Sequence, residues 1–339
     1  MEWSEVLRTL LSGQDLSAEM AGDALRSILS GEAGEAQIAG LLIALRMKGE
    51  SIVEVSSMVD VMLEAAAPVV LPEGDDPIDI VGTGGSPSRR VHALNVSTMA
   101  SFVAAGAGAR VVKHGNRRAS STSGSFDLLE QLGVPLELDG EGVARCVEQA
   151  GIAFCFARSF HPAMRHAGPV RTQLGVPTVF NFLGPLSNPA RVTRQVIGVS
   201  DERLAPLVAG VLADRGSPRA MVVTGDDGMD EITTTGSTVV HEVRDGAVTV
   251  WTLDPRDLGL EVVEPSAIAG GGPEANAAIA RRVLAGEVGP YRDIVCLNAA
   301  AGLVVADRAE DLVAGLAMAR ESIDSGAARR VLERLLSVA

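Results

Sequence analysis

Aromatic residues are scarce in this chain, at 3% of 339 residues with two tryptophans and one tyrosine. Its core must therefore be built from Ala, Val, Leu and Ile, which the 47% hydrophobic content supplies. Lysine is nearly absent, two residues against 27 arginines, and acidic residues exceed basic ones by enough to leave a formal net charge of −14. That balance excludes a nucleic-acid or anionic-membrane partner. A small anionic substrate is still allowed where local cations or a metal ion outweigh the global field. The three cysteines, Cys146, Cys155 and Cys296, are odd in number and lack CxxC spacing. A zinc site or a disulfide framework is thus excluded, and they read as reduced core thiols. No apolar run approaches the roughly 20 residues of a membrane span. The start, Met1-Glu2-Trp3-Ser4-Glu5, lacks the basic region of a signal peptide. The expectation is a soluble, cytoplasmic protein.

What is present falls into two regimes. Residues 1–66 read as helices only. Ser17 precedes the periodic run Met20, Ala24, Leu25, Ile28, Leu29, and Gly31 ends it. A second helix runs from Ala36 to Met47, and Ser51 with Glu54 has capping-box spacing before a third. The stretch 39–45 is apolar almost all round, which predicts burial against another subunit. After a linker from Pro68 to Pro77, short strands alternate with helices. Strands are expected at 78–81, 109–113, 152–157, 194–199 and 219–224. Helices are expected from near Ser97 to 105, from near Ser125 to Gly133, and over 141–150 and 201–215. Val239–Val243 and Val248–Leu253 flank Asp245-Gly246 as a hairpin. A helix should open at Pro273, with a largely helical tail. The pattern predicts an α/β fold: a small all-helical domain over 1–70, then a large doubly wound, mainly parallel sheet over 71–339 with helices on both faces.

Three segments between Asp79 and Ser125 suit a phosphorylated ligand. Gly82-Thr83-Gly84-Gly85 follows a strand, at the carboxyl edge where open α/β sheets bind ligands. It is neither a Rossmann fingerprint, since Pro87 stands where the third glycine belongs, nor a P-loop. Asn95-Val96-Ser97-Thr98 opens an apolar helix; Ser97 suits the N-cap, and an anion suits the same helix end. Lys113-His114-Gly115-Asn116-Arg117 runs on through Ser120 to Ser125, placing cations and hydroxyls together. A hydroxylated surface loop would explain the serines but not the cations. Asp226, Asp227, Asp230 and Glu231 surround Gly228; beside a phosphate site such carboxylates suit Mg²⁺ held by few protein ligands, while alone they are a solvated turn. His161 to His166 reads as helical, with Arg171 beyond it able to pair with a carboxylate. Asn181 to Asn188 reads as a Gly/Pro loop that could close a pocket. No covalent nucleophile stands out.

In order and spacing, GTGG, NVST, KHGNR…SSTSGS, HPAMRH…PVR, NFLGPLSNPA and GDDGMDE resemble the anthranilate phosphoribosyltransferase family, over nearly the whole chain. The resemblance implies transfer of phosphoribose from phosphoribosyl pyrophosphate (PRPP) to the anthranilate amino group, with release of pyrophosphate, in tryptophan biosynthesis. PRPP would be held by Gly82, Gly85, Ser86, Ala93, Asn95, Val96, Ser97, Thr98, Lys113, His114, Gly115, Asn116, Arg117, Arg118, Ala119, Ser120, Ser121 and Ser125. Mg²⁺ would be held by Ser97, Asp230 and Glu231. Anthranilate would meet Gly82, Asn116 and Arg171, with His114, His161 and Pro185 shaping its channel, and Lys113, Arg171 and Asn116 are the implied catalytic residues. The resemblance also implies a homodimer paired through the N-terminal helices, with a helical segment near 165–185 returning to them.

One departure stands out. The family usually has Asp after the glycines, where this chain has Ser86, and the segment to Ala93 is longer. Arg89 and Arg90 are candidates to replace the lost contact to pyrophosphate. Two alternatives stay open: a paralogue using another aromatic acid, and a pyrimidine nucleoside phosphorylase of the same fold, which Arg171 argues against. A catalytically idle nucleic-acid binder would need a basic groove that the charge does not provide.

Overall fold

The computed structural model describes residues 1–72, 74, 76–84, 93–117 and 122–338. Four helices come first: α1 (Trp3–Leu11), α2 (Ala18–Ser30), α3 (Glu35–Lys48) and α4 (Ile52–Glu64). Their ends follow from local chemistry. The Ser17 hydroxyl accepts the Met20 N–H and Gly31 closes α2 at φ 81°. Ser51 and Glu54 form the expected capping box of α4, an arrangement that stabilises by about 1 kcal/mol. In α3, Ile38, Leu41, Leu42 and Leu45 are buried within the chain itself, against α1 and the later helix α9 (Gly168–Leu174). The apolar character of 39–45 is therefore largely satisfied internally, while Leu11 and Met47 stay exposed at 81% and 84%.

The remaining elements build one seven-stranded sheet in the order β3-β2-β1-β4-β5-β6-β7. Its strands are β1 (Ile78–Gly82), β2 (Val111–Gly115), β3 (Ile152–Phe156), β4 (Arg194–Gly198), β5 (Arg219–Gly225), β6 (Thr238–Arg244) and β7 (Ala247–Leu253). The first five pair in parallel, and the last two add an antiparallel hairpin. The hairpin turns at Asp245 and Gly246, both at positive φ, as a two-residue turn between twisted strands requires. The connecting helices are α5 (Val96–Gly106), α6 (Ser125–Leu132), α7 (Gly140–Ala150), α8 (Ala157–Phe160), α9, α10 (Phe180–Leu186), α11 (Ala205–Asp214), α12 (Pro273–Leu284), α13 (Pro290–Val305), α14 (Leu312–Asp324) and α15 (Ala327–Val338).

Alternation along the strands sends side chains into two separate cores. Val196, Met221 and Val223 join the core under α5, α7 and α12–α15. Ile197, Ala220 and Val222 join the core that also holds the four-helix bundle, α10 and α11. The bundle is thus packed into one face of the sheet rather than tethered beside it.

Four local expectations are corrected. The second strand lies at 111–115, two residues later than expected. His161 is not on a helix; it separates α8 from a 3₁₀ turn over Pro162–His166. Residues 180–186 are helical despite Gly184 and Pro185. A proline near the end of so short a helix forfeits only the bond to the Asn181 carbonyl. Helix α5 begins at Val96 with Asn95 at the N-cap, so Ser97 lies inside the first turn.

Candidate active site

A cleft of about 850 Å³ opens where the carboxyl ends of β1 and β2 meet α5, α9 and α10. It brings together Gly82, Ala93, Asn95, Ser97, Thr98, Lys113, His114, Gly115, Asn116, Arg117, Ser125, His161, Arg171, Pro185, Asp230 and Glu231. Val96 faces the core instead and is fully buried. Gly85, Ser86, Arg118, Ala119, Ser120 and Ser121 lie outside the described residues, as do Arg89 and Arg90.

Of the four acidic residues after β5, two serve the turn and two face the cleft. Asp226 accepts from the Ser237 N–H and hydroxyl. Asp227 accepts from the Thr233 and Thr235 hydroxyls. Asp230 and Glu231, both 5% exposed, turn inward. Asp230 Oδ2 accepts the Gly84 N–H at 2.8 Å, and Glu231 Oε1 accepts the Ser97 N–H at 3.4 Å. A carboxylate from another loop therefore meets the first turn of α5, where helix N–H groups favour negative charge. Asp230 can enter because β1 and β4 end in glycine: a Cβ on Gly82 would collide with its carboxylate, and one on Gly198 with its backbone.

Two buried asparagines that sequence reasoning passed over hold this region. Asn276 Nδ2 donates to Ala93 O at 2.7 Å and Asn95 Oδ1 at 2.8 Å, and the Ser123 hydroxyl also donates to Asn95 Oδ1. The Asn95 side chain is thus committed to holding the α5 entry. Asn298 brackets Ile232, accepting its N–H and donating to its carbonyl, which fixes the chain next to Glu231. No sequence signal marked either residue, because each acts across more than 60 positions.

Lys113 is 2% exposed and its Nζ donates to Ile80 O at 2.5 Å. Burial lowers its pKa, while Asp79, Glu231 and Asp230 oppose the shift. Arg117 borders the cleft, but its guanidinium grips Glu130 on α6 through two bonds of 2.7 and 2.9 Å. Asn116 and Ser125 are tied by the Ser125 hydroxyl, which donates to Asn116 O.

The opposite wall rests on α10. Its last carbonyls are taken by side chains from three places: His114 Nδ1 meets Gly184 O at 2.9 Å, Gln195 Nε2 donates to Pro185 O at 2.9 Å, and His161 Nε2 meets Ser187 O at 3.0 Å. Carbonyls only accept, so His114 carries its proton on Nδ1 and His161 on Nε2. Burial pushes the His114 pKa down to about 3 and also lowers that of His161; both rings are neutral at pH 7. Arg171 on α9 lies over the Phe180 ring at 5.3 Å, and burial lowers its pKa. Among the described residues it has no ion-pair partner. The cleft therefore has an acidic, hydroxyl-bearing end and an end with an unneutralised guanidinium.

Against known proteins, residues 74–329 match the model of the glycosyl transferase family α/β domain, and residues 4–66 that of its helical bundle domain. The anthranilate phosphoribosyltransferase of Arthrobacter sp. (strain FB24) is 52% identical, over 99% of this chain and 96% of that protein. The chain belongs to the anthranilate phosphoribosyltransferase family. Among solved anthranilate phosphoribosyltransferases, that of Thermus thermophilus superposes with a TM-score of 0.91 at 44% identity, covering 98% of each chain. The Saccharomyces cerevisiae anthranilate phosphoribosyltransferase in complex with PRPP and Mg superposes with a TM-score of 0.89 at 32% identity, over 99% of this chain and 97% of that one.

Proposed function

We propose that this cleft transfers the 5-phosphoribosyl group of PRPP to the amino nitrogen of anthranilate and releases pyrophosphate. The observation that carries this reading is the polarity of the cleft. Buried carboxylates, a helix N-terminus and Lys113 stand at one end, and Arg171, without an ion-pair partner among the described residues, stands at the other. A pyrophosphate-bearing donor suits the first and an aromatic carboxylate the second.

The donor set fits Mg²⁺. Asp230, Glu231 and the Ser97 hydroxyl are all hard oxygen ligands. Among the described residues no group of three or more His, Cys, Asp and Glu could hold a metal alone, which suits an ion completing its shell with substrate oxygens and water. When bound, the ion neutralises charge on the leaving pyrophosphate.

Lys113 adds its ammonium at the same end. The bond from the ribose anomeric carbon to the pyrophosphate oxygen breaks, the amine lone pair forms the new C–N bond, and the amine proton leaves with solvent. Arg171 holds the acceptor carboxylate and Asn116 its neighbouring edge, so acceleration comes from positioning as well as electrostatics. The neutral rings of His114 and His161 and the Pro185 ring wall the acceptor channel without competing for its carboxylate. His114 Nε2 is buried and has no hydrogen-bond partner among the described residues. Gly82, Asn95 and Thr98 line the donor end, and we assign Ser86, Ser121 and their neighbours to PRPP on the motif alone.

No helix among the described residues is long and apolar enough to cross a membrane, and we place the activity in the cytoplasm. Exposed Leu11 and Met47, on helices that pack together, support pairing of two copies through α1 and α3. The deciding experiment follows loss of anthranilate fluorescence with PRPP and Mg²⁺. Metal-dependent turnover is expected. Phosphorolysis of a pyrimidine nucleoside without turnover of anthranilate would overturn the reading.

A further inference from the structure

Strands β1 and β2 begin as neighbours and then part. Ile78 N–H donates to Arg110 O at 2.9 Å, and Ile78 stands in register with Val111, but that is the only aligned pair. By contrast β1 stays aligned with β4, and β2 with β3, over five residues each. In a parallel ladder, alternate residues present their polar groups to the same neighbour. Since Arg110 O faces β1, Val112 C=O and His114 N–H do so too. Neither is left unpaired, because side chains fill the gap. Asp79 Oδ2 accepts the His114 N–H at 3.1 Å. Asn188 Nδ2 donates to Val112 O at 2.8 Å and to Asp79 Oδ2 at 2.9 Å. The Ile80 carbonyl receives Lys113 Nζ. Asp79 and Asn188 are 0% and 2% exposed, so no water competes for these bonds. Asn188 Oδ1 accepts the Ala190 N–H, which leaves its amide fully committed.

We propose that Asp79 and Asn188 form a positioning strut, which grips β2 on both sides of Lys113 and fixes the spacing between that strand and α10. Asn188 lies two residues beyond α10, after the C-cap Ser187, and the end of α10 is also held by His114 and His161. The strut thus connects the donor end of the cleft to the acceptor wall, and neither Asp79 nor Asn188 lines the cleft. Its kinetic consequence rests on the functional reading above. One oxygen of Asp79, Oδ2, takes both the His114 N–H and the Asn188 amide on its two lone pairs.

Asp79→Leu, close in size and without an acceptor (Asp79→Ala if it does not fold), and Asn188→Ala test this, with the full-length protein held well below its Tm. Each is expected to lower kcat about tenfold or more, because small misplacements of reacting groups are costly. The PRPP KM should stay within about threefold, since groups binding donor and transition state alike are untouched. The double variant should be no slower than the worse single one, as both cut the same strut. In substrate-free protein, amide exchange at His114 should accelerate in both. If Asn188→Ala does not fold, Asn188→Ser takes its place, because it too loses the two-donor amide. Wild-type kcat with only a lower Tm, additive losses, or an unchanged His114 amide would overturn the strut. Lack of anthranilate turnover by the wild-type protein would instead overturn the functional reading, and the exchange measurement would still decide the strut.

Discussion

The N–H of Gly84 donates to Asp230 Oδ2, so the glycine turn after β1 and the acidic turn after β5 are physically joined. The joint depends on Gly82, where a Cβ would meet the same carboxylate. Gly82→Ala should therefore cut kcat/KM for PRPP by about tenfold or more and destabilise the fold by about 1–3 kcal/mol. Gly84→Ala is the comparison. Gly84 sits at φ 70°, with nothing among the described residues within 4 Å of a Cβ, so Gly84→Ala incurs about 1–2 kcal/mol of backbone strain without displacing Asp230. Equal kinetic losses in the two variants would contradict this account.

Asp230→Asn combined with Glu231→Gln keeps the shape of the cleft and removes its acidic charge. Turnover should fall by about a hundredfold, and half-maximal activity should need more Mg²⁺, because hard cations lose affinity with each carboxylate removed. A Mg²⁺ titration of initial rates is the check. An unchanged metal profile would remove these two residues from the ligand set.

Arg171→Ala should raise the anthranilate KM about tenfold or more and leave the PRPP KM within about twofold, as a residue acting on one substrate must. Arg171→Lys should recover only part of the loss, since an ammonium neither forks onto a carboxylate nor stacks as a guanidinium does on Phe180. Parallel changes in both KM values would argue that Arg171 holds the wall together rather than the acceptor.

His114 gives a pH signature. Its pKa falls from 6.5 to about 3 on burial, so below pH 6.5 the unfolded chain binds a proton that the native state refuses. Its contribution is complete above pH 6.5 and is lost as the pH falls towards 3. Asp79 works in the opposite sense. Burial, though opposed by Lys113, Asn188 and the His114 N–H, raises its pKa to about 6; its stabilising share is present below about pH 4 and lost as the pH rises through 6. His114→Leu, which neither donates nor titrates, should be less stable than wild type at pH 7, where the Gly184 carbonyl loses its donor. The gap should shrink by a few kcal/mol, roughly, on going to pH 3.5. Urea melts at pH 7, 5 and 3.5 measure it, and a constant gap would mean that His114 is protonated freely in the native state.

Much of the fold was legible because its signals are local. Ser17, Gly31, Ser51, Glu54, Gly133 and Pro273 each act within one helical turn, and Asp245-Gly246 specifies its own hairpin. The candidate site was legible as a set of motifs, and the fold gathers most of them into one cleft. What the sequence concealed is long-range. Nothing near Asn188 announces a bond to Asp79, 109 positions away, and nothing near Asn276 announces Asn95. The segment 180–186 looked like a loop because Gly and Pro disfavour helices, yet side chains from β2, β4 and the 161 turn take its terminal carbonyls. Asp226 and Asp227 looked equivalent to Asp230 until the turn showed which carboxylates its own hydroxyls consume.

The division of the apolar interior into two cores has a spectroscopic side. Trp3 packs against the core of the bundle and Trp251 against the core beneath α12–α15, and the chain has no other tryptophan. Each indole is therefore a separate reporter for one face of the sheet. Variants retaining only Trp3 or only Trp251 would give one emission curve for each core, and the separation of their midpoints would measure how tightly the sheet couples the melting of one to the other.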